Sequence, residues 1–81
     1  MFINRAPDGK NNLCSTQVAL RRKELRLSQR ELAERLQLEG LDLDKNAIQR
    51  IECGKRFVTD IELLGLSRTL GVELRDLISK E

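Results

Sequence analysis

The chain contains no histidine, no tryptophan and no tyrosine, and Phe2 and Phe57 are its whole aromatic inventory. Without histidine there is no imidazole for general acid–base work or for a metal site. Two aromatics cannot build stacking platforms for single strands or splayed RNA bases. Cys14 and Cys53 are the only cysteines, and they match no CxxC or zinc spacing. A disulfide between them is open. The 35% of charged residues and the lack of a signal-like segment point instead to a reducing cytoplasm and two free, inert thiols. No apolar run approaches the roughly 20 residues of a membrane span. Nucleophile motifs, paired-carboxylate signatures and phosphate-cradling glycine loops are missing as well, so neither an enzyme nor a cofactor is expected.

What is present is compact and leucine-rich. Eighty-one residues allow one small domain with an efficiently packed aliphatic core. The net charge is only +2, but it is unevenly spread. Met1 to Leu27 holds six basic residues against two acidic, and Lys45 to Val58 holds four against one. Ser28 to Asp44 and Thr59 to Glu81 are acidic on balance. Two basic segments folded together would make the positive face that a nucleic-acid binder needs; a mixed solvated surface is the plainer alternative.

Residues 1–12 have a proline, a glycine and no helical period, and read as a flexible arm, with a domain from residue 13 to residue 81. Five helical segments follow. The first spans about Ser15 to Leu25, with Val18 and Leu25 on one face and Arg21 interrupting it. SQRE, Ser28 to Glu31, is a capping box that opens the second. Its buried face is Leu32, Ala33 and Leu36, and Gly40 is placed to end it. Asp44 caps a third helix running to about Cys53, with Ile48 and Ile51 inward and Gly54 after it. TDIE, Thr59 to Glu62, opens a fourth that carries Leu63, Leu66 and Leu70 up to Gly71. The last, about Glu73 to Ser79, presents Leu74, Leu77 and Ile78. Nothing alternates with period two, so the class is all-α.

LSQRELAERL, AIQRIECGKR and IELLGLSRTLGVELRDLI, in that order, resemble the lambda-repressor-like helix-turn-helix family, the Cro/C1 class. The resemblance covers about Leu13 to Ile78 and implies a five-helix domain. Its third helix would lie in the major groove of double-stranded DNA, with the second crossing the backbone above. Lys45, Asn46, Gln49 and Arg50 then point outward and are side-chain types that read base edges, each good bidentate contact discriminating by about 1–3 kcal/mol. Ser28 and Gln29, at the positive end of the second helix, and Lys55 and Arg56, after the third, are the expected phosphate contacts. Lys10, Arg21, Lys23 and Arg26 would add diffuse attraction. The family also pairs an arginine of the first helix with the glutamate ending the third; here these are Arg22 and Glu52. That would explain an acid standing between Arg50 and Lys55 in a basic segment.

The sequence departs from the family pattern in three places. Ala33 and Ile48 are separated by five residues more than the family has, near Gln37 to Leu41. Either the second helix runs an extra turn, or the turn is a longer loop with Leu41 or Leu43 in the core. Gly65 and Ser67 stand where alanine is preferred, a mid-helix glycine costing about 1 kcal/mol. Arg21 replaces an apolar residue. The function implied is a sequence-specific transcriptional regulator, most simply a cytoplasmic, nucleoid-associated repressor that binds a pseudo-palindromic operator as a homodimer. An antitoxin or other protein-interaction module, with a protein partner, is the alternative reading. No metal, cofactor or membrane is implied.

Overall fold

The computed structural model describes residues 9–78. Among them five helices and no strand are found: α1 Ser15–Glu24, α2 Gln29–Leu38, α3 Lys45–Glu52, α4 Asp60–Leu70 and α5 Leu74–Ile78. The helix starts follow from short-range hydrogen bonding. The Ser28 hydroxyl accepts from the Glu31 N–H and the Glu31 carboxylate from the Ser28 N–H; Thr59 and Glu62 repeat the arrangement on α4. Asp44 Oδ1 accepts from the Ala47 N–H and starts α3. Each cap satisfies donors that the first helical turn would otherwise leave unpaired.

Val18, Leu32, Ala33, Leu36, Leu43, Ile48, Ile51, Leu66, Leu70 and Leu77 form one buried cluster, together with Cys14. Burial raises the Cys14 thiol to about 11 by desolvation, so it remains protonated; Cys53 is exposed, and both are free. Leu25, expected on the inner face of α1, is instead outside. The helix ends one residue before it, at Glu24, and the chain then doubles back so that Leu27 is buried in its place. The reversal puts Arg26 in the left-handed region at φ 59°, while the Leu27 N–H closes onto the Arg22 carbonyl and the Arg26 N–H onto that of Lys23.

The connection between α2, which ends at Leu38, and α3, which starts at Lys45, is a loop. Gly40, at φ 88°, lets the Leu41 N–H return to the Leu36 carbonyl and its own N–H to that of Gln37, a left-handed helix stop for which glycine is the natural residue. Leu41 and Leu43 are thereby both turned inward, Leu43 completely and Leu41 partly. Gln37 Nε2 bonds the Leu43 carbonyl at 3.0 Å and holds the loop down. Leu41 lies over Gly65 of α4: a Cβ at Gly65 would collide with Leu41 Cδ1 and lie 3.3 Å from Leu41 Cγ. Two departures from the family pattern thus account for each other, because the inserted leucine occupies the space that an alanine methyl would fill. The third, Arg21, has a local purpose too. Its Nε donates to the Leu70 carbonyl at 2.9 Å, satisfying an acceptor that the end of α4 would leave free.

Candidate nucleic-acid interface

Helix α3 is anchored by Ile48 and Ile51, both fully buried, which directs Lys45, Asn46, Gln49 and Arg50 away from the core. Asn46, Gln49 and Arg50 line one open cleft of about 390 Å³, together with Asp44, Ala47 and Arg56. Lys45 is exposed on the first turn of the same helix. Among the described residues, the side chains of Lys45, Asn46, Gln49 and Arg50 have no hydrogen-bonding or ion-pair partner. A face of amides and cations at the start of a helix, unpartnered within its own fold, is equipped to exchange hydrogen bonds with something outside it.

The end of α3 is equipped in the opposite way. Arg22 Nε donates to Glu52 Oε2 at 2.6 Å and its Nη2 to Oε1 at 3.0 Å, while Nη1 donates to the Leu27 carbonyl at 2.7 Å. The two side chains are 12% and 8% exposed. The hydrogen bond to Glu52 holds the guanidinium above the ordinary arginine range. Gln29 Nε2 adds a third donor to Glu52, to Oε1 at 3.0 Å. One carboxylate therefore joins α1, α2 and α3, and the acid in the basic segment is spoken for from inside the protein.

The four residues expected at phosphates do not share one situation. Gln29 turns its amide nitrogen onto Glu52. The Ser28 hydroxyl and N–H are both used in its capping box; the bond from the Ser28 N–H lowers the Glu31 pKa. Arg56 gives Nη1 and Nη2 to the two oxygens of Glu62, each at 2.9 Å, and Nη1 also to the Phe57 carbonyl. Its pairing with Glu62 raises the Arg56 pKa and lowers that of Glu62. Lys55 is exposed, and among the described residues its ammonium has no partner. Of the two cations among the four, Lys55 has no partner among the described residues, and Arg56 is held at the cleft wall by its own ion pair. The available signal for the Arg56–Glu62 pair was that Glu62, already a capping-box acid, follows Arg56 by only six positions.

Two residues placed in the flexible arm prove to be structural. The Asn11 N–H and side chain reach the carbonyls of Gly54 (2.8 Å) and Lys55 (3.0 Å). Asn12 Nδ2 reaches those of Ile51 (3.2 Å) and Arg56 (2.8 Å). These bonds fasten the chain before α1 begins. Residues 1–8 of that arm lie outside the described residues. Sequence reading had no means of pairing asparagines with carbonyls some forty positions away.

A helix-turn-helix family model matches residues 18–77. The chain belongs to the Cro/C1-type helix-turn-helix family. Membership places this chain among DNA-binding transcriptional regulators. Among solved structures, the restriction-modification controller protein C.AhdI from Aeromonas hydrophila is similar, with 30% identity and a TM-score of 0.67. The match covers 78% of this chain and 84% of that one. No curated protein sequence matches significantly. Among the described residues of this helix-turn-helix domain, no helix is long and apolar enough to cross a membrane, and no cluster suited to a metal ion is present.

Proposed function

We propose that the chain is a sequence-specific regulator that binds double-stranded DNA with α3 in the major groove, acting most simply as a repressor. The observation that carries this reading is the set of side chains on α3, Lys45, Asn46, Gln49 and Arg50, left without internal partners beside a helix end that is fully tied down. Arg50 or Lys45 suits guanine O6 and N7, and Asn46 or Gln49 suits adenine N6 and N7. Lys55 meets the phosphate backbone next to the groove. The Arg22–Glu52–Gln29 junction sets the angle at which α3 is presented. Binding is as a homodimer to a pseudo-palindromic operator, two half-sites lying about one helical turn apart, with the half-exposed Leu74 and Ile78 of α5 in the contact between copies. Such a regulator works in the cytoplasm, at the nucleoid. The likeness to a restriction-modification controller supports the regulator class.

The test is selection from a random duplex library at near-physiological salt, beside an Asn46→Ala, Arg50→Ala double variant. A two-fold symmetric motif enriched by the unaltered chain and lost in the variant is expected. No enriched motif at any salt would defeat the reading. The second reading, a protein-interaction module such as an antitoxin, draws support from a different face. Leu38 and Ile61 are 89% and 69% exposed, and Ile61 shares a cleft with Leu41 and Leu64. Stable co-purification with a partner, without salt-dependent DNA binding, would favour it.

A further inference from the structure

Helix α3 and the loop after it end in carbonyl groups that need donors, and four of those carbonyls are taken by two consecutive residues far away in sequence. Asn11 takes Gly54 and Lys55; Asn12 takes Ile51 and Arg56. Asn12 does a second thing with the same amide group. Its Oδ1 accepts from the Ser15 N–H at 2.8 Å, which supplies the cap that Cys14 does not give α1. The planar amide therefore has its oxygen on the start of α1 and its nitrogen on the end of α3. Donors and acceptors match on both sides, which fixes its orientation. Packing agrees with this: Lys10 runs so close over Gly54 that a Cβ there would lie 2.6 Å from Lys10 Cγ. Gly54 is at φ 76°, and the turn it makes is the floor on which the segment lies.

We propose that Lys10–Asn12 is a positioning segment for the DNA-facing loop, with Asn12 as its pivot and Lys55 as the cation it aims. The inference rests on the DNA-binding reading above. Among the described residues, the backbone of residues 51–56 has no hydrogen bond to another element beyond α3's own closing bonds and these four. Side chains hold Glu52 and Arg56 on either side of Lys55, and the segment sets the carbonyl of Lys55 itself, and so where its cation stands relative to the base-reading face. Without it the loop keeps its charge but not its place, and a phosphate contact is lost while the side chains on α3 go on reading the same bases.

Asn12→Asp isolates the effect, since an aspartate keeps the acceptor for the Ser15 N–H and replaces the donor to Ile51 and Arg56 by a carboxylate. Binding to a short mixed-sequence duplex is followed by anisotropy over a salt series, with circular dichroism establishing that each variant is folded. The slope of log K against log salt should become shallower by about 0.9, the value of one phosphate, with base preference in competition unchanged. A purely structural weakening lowers the active fraction and leaves the slope alone. Lys55→Ala should give the same loss, and adding Asn12→Asp to it should give no more. Asn11→Asp, which removes one solvent-facing bond, gives a partial loss and stands in if Asn12→Asp does not fold. An unchanged slope in a folded variant, or a further loss on the Lys55→Ala background, would overturn the positioning role alone. Absence of salt-dependent binding by the unaltered chain would overturn the DNA-binding reading with it.

Discussion

The two ends of α3 are held by opposite means. At its beginning the joint is apolar: Leu41 and Leu43 of the lengthened loop drop into the core, and Leu41 seats against the bare backbone of Gly65. At its end the joint is polar, with Glu52 gripped by Arg22 and Gln29, and Asn12 on the terminal carbonyls. An apolar contact is indifferent to direction and tolerates an insertion if volume is conserved. A buried carboxylate with three donors tolerates no shift, because each donor has its own angle. The insertion therefore sits at the end where the protein can absorb it, and the orientation of α3 is set at the other.

That contrast can be broken first at the polar end. Glu52→Ala leaves the part-buried Arg22 guanidinium without its counter-charge and should lower stability by about 3 kcal/mol, read by chemical denaturation. A loss below 1 kcal/mol would put the pair in the class of exposed ion pairs and remove the contrast. The apolar end should respond less and with the opposite logic. Gly65→Ala improves helix propensity by about 1 kcal/mol but drives the new methyl into Leu41, at an overpacking cost of about 1–3 kcal/mol. We expect a net loss of about 1 kcal/mol. In the Leu41→Ala background the same substitution should become stabilising, and additivity between the two changes would refute the seating of Leu41 on Gly65.

Acid sharpens the comparison. The Arg56 guanidinium holds the Glu62 carboxyl below its ordinary value of 4.5. A folded-state pKa below the unfolded one means that the ionised form favours folding. The contribution is present above the unfolded value and disappears as pH falls through the folded one. Tm should drop on acidification below about pH 4.5. Glu62→Gln should start from a lower Tm at neutral pH and show a shallower acid limb. The smallest effect is expected at Arg26, whose left-handed backbone costs an ordinary residue about 1 kcal/mol. Arg26→Gly should raise Tm by a few degrees or leave it unchanged.

What could be read from the sequence was what is encoded within a few residues. The two capping boxes, the Asp44 cap and the glycines ending α2, α3 and α4 involve groups three to six positions apart, and the amphipathic spacing of Ile48 and Ile51 is local too. Arg22 and Glu52 could be named only through the family resemblance, since thirty positions separate them. The Asn12 bridge and the Arg56–Glu62 pair were invisible because asparagine and arginine in a polar segment look the same whether solvated or bonded. Leu41 and Gly65 were each noticed as departures. That one is the socket of the other is a tertiary fact, and no propensity scale contains it.

The seating of Leu41 on Gly65 also bears on protein engineering. A chimera that receives α2, its long loop and α3 from this chain, but α4 from a relative with alanine at the corresponding site, would inherit the peg without the hole. The segment from α2 to α3 is therefore not a cassette: it travels with one glycine on α4.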